Sequence, residues 1–106
     1  MAWIFLLVAG LLEIVWAFTM KLSQGFTRTT PTAVTLVAML ASFALLSISM
    51  RTLPLGTAYT VWTGIGAVGA FVVGVVVLGE PLTLGRVVGA TLIVAGLSVM
   101  KLSSAA

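Results

Sequence analysis

The fold is decided by one stretch, residues 10–20, which has the sequence GLLEIVWAFTM. It places a single acidic residue, Glu13, inside an apolar run that begins at Ala2. Because a helix rises about 1.5 Å per residue, a span starting near Met1 would hold this carboxyl close to the middle of a bilayer. A charge at that depth is costly, so the stretch indicates a functional carboxylate. The alternative is a glutamate that is neutral, or paired with a base, for packing alone.

The composition is that of a membrane protein. Of the 106 residues, 61% are hydrophobic and 7% are charged, whereas charged residues make up about a quarter of a soluble domain. The mean hydropathy is +1.32. Cysteine and histidine are absent, which removes disulfides, thiol nucleophiles and the commonest metal ligand. We therefore predict no metal site and no cofactor.

The net charge of +3 comes from five basic residues that stand singly along the chain. They form no patch that would bind nucleic acid, and we expect them to meet lipid headgroups at the helix ends. The N-terminus lacks a charged leader and a small-residue cleavage site. We therefore expect the first apolar run to be a retained span rather than a removed signal peptide.

Hydropathy predicts an all-α membrane protein, residues 1–106 forming a single domain of four transmembrane helices. Pro31 suits the first turn of the second helix, and Gly79-Glu80-Pro81 breaks the chain before the fourth. We expect Glu80 to interact with the positive end of that fourth helix. The predicted helices cover about residues 2–20, 32–50, 55–78 and 84–102.

Helix 2 carries one polar group at mid-membrane depth, Ser42. Its helical neighbours Met39, Phe43 and Leu46 share the same face and would form a pliable apolar wall. The Ser42 hydroxyl is a candidate binding group. The alternative is a hydroxyl bonded to a carbonyl of its own helix, as is common in membranes.

Helix 3 combines two aromatic residues with closely spaced glycines. Tyr59 and Trp62 lie one turn apart, and they are either binding-site residues or interfacial anchors. Gly64 and Gly66 follow and predict a kink, since glycine is permissive about backbone angles. Close helix packing is the alternative explanation for the same two glycines.

Helix 4 is the best candidate for contact between two copies of the chain. Its small residues Gly89, Ala90, Ala95 and Gly96 permit a close approach between helices. A four-helix bundle is also too thin to enclose a substrate pathway alone. A dimer would bring two Glu13 carboxylates to one cavity, where they hold protons or a cation but not both fully.

The loop charges give no preferred orientation in the membrane. Lys21, Arg28 and Arg86 fall on one side, and Arg51, Lys101 and the terminal amine on the other. The positive-inside rule therefore predicts no preferred orientation of the chain in the membrane. A chain that inserts both ways is able to assemble as an antiparallel pair.

The sequence contains four notable motifs: EIVWA at 13–17, GFTR at 25–28, LPLGTAY at 53–59 and WTGIG at 62–66. Together they resemble the small multidrug resistance family, and the similarity runs the whole length of the chain. The Trp16-Ala17 pair in the first motif is similar to that of the guanidinium-exporter subtype, since exporters of polyaromatic cations typically carry Gly-Thr there.

The resemblance implies an antiparallel, dual-topology homodimer in a bacterial inner membrane. It also implies that this homodimer exchanges guanidinium for protons, which makes it a secondary active transporter and not an enzyme. It implies that Glu13 is the shared carboxylate for substrate and proton. Trp16, Ser42 and Trp62 then resemble the family's glutamate-orienting groups. Tyr59 resembles the family's aromatic switch, and Gly10 resembles the small residue one turn before the glutamate. The family's dimerisation motif resembles a set on helix 4, namely Gly89, Leu92, Ile93 and Gly96.

Three other functions stay open at this point. The first is an exporter of quaternary ammonium or alkylated guanidinium compounds, with Met39, Phe43 and Leu46 admitting an alkyl tail. The second is a passive cation channel, because an acidic ring selects cations. The third is a non-transporting subunit of a heterodimer, which the even loop charges disfavour.

Overall fold

A computed structural model describes residues 1–103, which form four helices and no strands. All four are long and apolar enough to cross a membrane. This confirms the predicted all-α architecture with four spans. The helices are α1 (Ala2–Leu22), α2 (Thr29–Ser49), α3 (Leu55–Val76) and α4 (Leu84–Ser103).

Five helix boundaries differ from the predicted positions by one to three residues. Helix α1 ends two residues later than predicted, α2 one residue earlier and α4 one residue later. Helix α2 begins at Thr29, three residues before the predicted start, with Pro31 inside its first turn. A proline is accepted there because the first amides of a helix have no partner within the helix. Helix α3 ends at Val76, two residues before the predicted end, and Gly79 follows with φ +70°.

The turn between α1 and α2 is organised by the buried Ser23. Its hydroxyl donates to the Met20 carbonyl at 2.6 Å and accepts from the Phe26 amide at 3.0 Å. Three consecutive residues adopt positive φ, namely Gln24, Gly25 and Phe26. This left-handed turn reverses the chain, so that α2 packs along α1.

The core lies where α1 and α3 pack together near the membrane side that holds the N-terminus. Helix α1 is central, since it packs against both α2 and α3, whereas α2 and α3 meet over a short stretch only. At the other end, the hydroxyls of Thr19 and Thr35 pair at 2.6 Å and join α1 to α2. The buried apolar cluster consists of Leu6, Ala9, Leu46, Leu53, Ala58, Val61 and Trp62.

Helix α4 stands apart from this core. Between Leu84 and Ser103 it buries none of its side chains, and it packs mainly against α3. Its first turn is capped by the Thr83 hydroxyl, which accepts from the Arg86 amide at 3.2 Å. The Glu80 carboxylate instead lies against Gly74 of α3. The hydrogen bond at the start of α4 comes from Thr83, and the interaction of Glu80 with the positive end of that helix stays a prediction.

Candidate functional site

Glu13 lies on the face of α1 that packs against α3. Its carboxylate sits directly over Gly66, and a Cβ at that glycine would overlap the carboxylate atoms. The Glu13 Oε1 atom is buried and has no hydrogen-bond partner within residues 1–103. A buried acceptor without a donor is costly. The site is therefore suited to a ligand that brings a proton or an N–H group.

One turn along the same face, the Trp16 indole presents a second unsatisfied group. Its Nε1 is buried, and no acceptor for it lies in the described part of the chain. Residues three apart on a helix are surface neighbours. Glu13 and Trp16 thus place an acceptor and a donor beside each other, both available to a ligand or to a second protomer.

A chain of hydrogen bonds passes through Ser42 and joins three helices. The Trp62 Nε1 of α3 donates to the Ser42 hydroxyl at 3.0 Å, and that hydroxyl donates to the Ala9 carbonyl of α1 at 2.7 Å. The alternative in which Ser42 bonds to its own helix is therefore wrong. Ser42 therefore bonds to both Trp62 and Ala9, and within residues 1–103 neither Ser42 nor Trp62 makes a side-chain hydrogen bond to Glu13.

This chain nevertheless ends beside the glutamate. In an α-helix each carbonyl accepts from the amide four residues later, so the Ala9 carbonyl is the acceptor for the Glu13 backbone amide. The Ser42 hydroxyl shares that carbonyl. This hydrogen bond fixes the turn of α1 that carries Glu13. The sequence did not predict it, because every residue has a backbone carbonyl and the sequence does not indicate which one accepts a side-chain hydrogen bond.

Aromatic rings form a continuous row beside the carboxylate. The centroids of Trp16 and Phe43 are 6.3 Å apart, those of Phe43 and Trp62 5.8 Å, and those of Tyr59 and Trp62 5.6 Å. The row crosses from α1 over α2 to α3. Trp62 is 7% exposed and belongs to the core, so it is not an interfacial anchor, whereas Tyr59 is 53% exposed.

The three residues expected to form an apolar wall on α2 have different environments. Phe43 is 44% exposed and belongs to the aromatic row, and Met39 is half-buried. Leu46 is buried in the core cluster. The open part of this face therefore consists of Met39 and Phe43, and Leu46 does not border it.

The glycines on the α1 and α3 faces are sites of close packing. A Cβ at Gly10 would lie 2.7 Å from Ile65 Cγ2, and a Cβ at Gly64 would lie 2.6 Å from Leu97 Cδ2. Gly64 and Gly66 lie within one uninterrupted helix. Packing accounts for both of them in this structure, and the kink stays a prediction.

The four predicted contact residues on α4 leave an open surface. Leu92 is 66% exposed and Ile93 40% exposed. A Cβ at Gly89 or at Gly96 would have nothing within 4 Å, as far as the chain is described. Ile93 and Gly96 also border a groove of about 680 Å³ that Tyr59 lines from α3. The α4 surface and the aromatic row are therefore adjacent.

The chain is similar to characterised transport proteins over nearly its whole length. A family model described as "Small Multidrug Resistance protein" matches residues 1–93. A protein named "Guanidinium exporter" from Citrobacter freundii is 57% identical over 104 residues, covering 98% of this chain and 99% of the relative. Another of that name, from Yersinia pseudotuberculosis, is 56% identical over 98% of this chain and 100% of the relative. A third, from Salmonella typhimurium strain LT2, is 55% identical over 98% and 99%.

Proposed function

The chain belongs to the small multidrug resistance family, and we propose that it exports guanidinium in exchange for protons. With four membrane-spanning helices, it is a multi-pass protein of the bacterial inner membrane. Relatives at 55–57% identity carry the name guanidinium exporter, which supports the choice of cation. The motif Glu13-Ile-Val-Trp16-Ala17 supports the same choice.

The observation that carries the proposal is the buried, unpartnered Oε1 of Glu13. Guanidinium is planar, and its N–H groups match a carboxylate bidentately. A bound guanidinium ion would donate a hydrogen bond to this oxygen, which has no donor within residues 1–103. The neighbouring rings of Trp16 and Phe43 would stabilise the cation through their faces. A neutral solute would gain neither the charge-assisted hydrogen bonds nor the cation–π contact.

Coupling to protons follows from competition for the same carboxylate. A protonated Glu13 carries no charge and donates a hydrogen bond, so it binds guanidinium poorly. The ionised form binds the cation. If the site holds the Glu13 carboxylates of both protomers and opens to one side of the membrane at a time, each cycle exchanges one guanidinium ion for two protons, so net charge crosses the membrane and a current results. Export of the cation is then driven by the proton gradient.

An antiparallel homodimer would complete the site. The even distribution of loop charges permits insertion in both orientations. Helix α4 offers an unburied surface with open space at its glycines, where the backbone of a second α4 would fit closely. We propose that Gly89, Leu92, Ile93 and Gly96 form this contact.

The roles proposed for the other site residues follow from their hydrogen bonds. Trp16 has a free indole N–H and is the group best placed to donate to a carboxylate or to bind across the dimer. Ser42 and Trp62 position the Glu13 turn through the Ala9 carbonyl. Tyr59 is exposed beside them and would change position as the site opens from side to side.

The test is electrogenic current from purified protein on a supported membrane, with guanidinium added by perfusion. Glu13→Gln keeps the shape of the side chain and removes its charge, so the current should disappear. Glu80→Gln is the matched control, because it changes the other acidic residue of the chain, outside the spans. The proposal fails if the current does not saturate, ignores an opposing proton gradient, or survives in Glu13→Gln.

A second candidate function is export of quaternary ammonium or alkylguanidinium compounds. The specific observation in its favour is the open edge of the site at Met39 and Phe43, where an alkyl tail would contact flexible apolar side chains. The same assay separates the two. A current with a long-chain ammonium compound and none with guanidinium would favour this candidate and remove the value of Trp16 as a subtype marker.

A further inference from the structure

A second concave site lies away from the carboxylate, between α1, α3 and α4. It is a crevice of about 380 Å³ bordered by three helices that are each long and apolar enough to cross a membrane. Its walls are apolar, with Leu7 on α1, Ile65 on α3 and Leu97 on α4. Ser98 also borders it, but the Ser98 hydroxyl donates to the Val94 carbonyl at 3.0 Å. Ser98 therefore offers the crevice no free hydroxyl donor.

The mouth of the crevice is marked by a cation. The Lys101 Nζ atom lies 5.0 Å from the centroid of the Trp3 ring, so the last turn of α4 is held against the first turn of α1. Both acidic side chains of the protein lie elsewhere, with Glu13 in mid-span and Glu80 in the loop at the opposite end. Within residues 1–103, the positive charge at this mouth is thus open to an external anion.

We propose that this crevice binds an anionic phospholipid, with an acyl chain along the apolar walls and the phosphate at Lys101. Trp3 on α1 and Lys101 on α4 each lie one helical turn from an apolar wall residue, Leu7 and Leu97 respectively. Trp3 lies near the start of the first span, the depth at which aromatic belts meet headgroups. A lysine at that depth attracts anionic lipid. A soluble anion would not fill the apolar walls, and an uncharged lipid would not use Lys101.

The lipid would have a structural consequence for α4. This helix buries no side chain from Leu84 to Ser103 and packs mainly on α3. An acyl chain in the crevice would fill the space that separates it from α1. The proposal concerns one protomer and does not depend on transport. In the antiparallel dimer proposed above, the two crevices would lie in opposite leaflets.

The experiment uses the full chain in phosphatidylcholine bilayers that contain a small fraction of phosphatidylglycerol with brominated acyl chains. Bromine quenches nearby tryptophan fluorescence, and Trp3→Phe identifies the signal from the crevice. A single lysine near the surface is expected to give a preference of roughly fivefold for phosphatidylglycerol over brominated phosphatidylcholine. Lys101→Gln should abolish that preference, and Lys101→Arg should keep it.

Arg51→Gln is the matched control, since it removes a cation on the same side of the membrane that does not line the crevice. The proposal is overturned if Lys101→Gln keeps the preference, or if Arg51→Gln loses it equally, which would indicate a general surface charge effect. It is also overturned if the unmodified protein shows no preference, the result expected when a second copy of the chain covers the crevice. Ser98→Leu tests the acyl site separately, because it fills the crevice while Lys101 remains, and it should reduce Trp3 quenching.

Discussion

Replacing Ser42 with alanine removes the one hydroxyl that joins α1, α2 and α3. In the structure this hydroxyl accepts from Trp62 Nε1 and donates to the Ala9 carbonyl, and Ser42 is fully buried. The substitution deletes a single atom from a packed site, so loss of packing contributes little. The main effect comes from the groups left behind.

Removing the Ser42 hydroxyl has a different free-energy cost for its two hydrogen-bond partners. The Ala9 carbonyl keeps the Glu13 amide of its own helix, so it stays satisfied. The buried Trp62 N–H loses its acceptor, which costs about 1–3 kcal/mol in a protein interior. Hydrogen bonds between membrane helices contribute about 0.6 kcal/mol on average and at most about 1.7 kcal/mol. We therefore expect Ser42→Ala to lower the free energy of unfolding by about 1–2 kcal/mol.

The assay is reversible unfolding in mixed micelles, followed by helix content, with Ser49→Ala as the matched control. Ser49 is equally buried on the same helix, but its hydroxyl donates only to the Leu46 carbonyl of that helix at 2.7 Å. Ser49 is the last residue of α2, so alanine gains more helix propensity at Ser42 than at Ser49, and this difference works against the expected loss at Ser42. Ser49→Ala should change the unfolding free energy by less than about 0.5 kcal/mol.

A double-mutant cycle with Trp62→Phe isolates the pair. Once the indole N–H is absent, Ser42→Ala should become nearly neutral, because removing both partners leaves nothing unsatisfied. Equal destabilisation by Ser42→Ala and Ser49→Ala, or no coupling to Trp62→Phe, would refute the argument that this hydrogen-bond chain stabilises the protein.

Three further predictions concern glycines. Gly66→Ala should lower the guanidinium current at least about tenfold, since its Cβ would displace the intramembrane carboxylate, whereas Gly56→Ala in the same helix meets open space and should keep the current. Gly64→Ala should lower the free energy of unfolding by about 1–3 kcal/mol, because the added methyl group overpacks the contact with Leu97. The second substitution Leu97→Val should restore part of this loss, and no recovery would argue against that contact. Gly96→Val should leave the helix content unchanged, since nothing within the described residues lies near its Cβ, but it should reduce chemical cross-linking between two copies; full cross-linking would exclude this part of α4 from the dimer.

Much of this protein follows from its sequence alone. Four apolar runs of about twenty residues have no stable alternative to membrane-spanning helices, because backbone polar groups must be satisfied within each span. The position of Glu13 within the first run is equally plain, since it is the only acidic residue inside an apolar run. Helix ends are less determined. Pro31 is tolerated anywhere in a first turn, so it does not fix where α2 begins.

The tertiary structure decided which groups meet. Ser42, Phe43 and Leu46 fall within an arc of about 100° on one helix, yet Ser42 bonds to another helix, Phe43 borders the open site and Leu46 enters the core. An arc that wide faces more than one neighbour, and helical periodicity does not say which. The Ala9 carbonyl and the space above Gly66 carry no side-chain signal at all. Their roles arise only when two helices approach closely enough for backbone atoms to take part in the site.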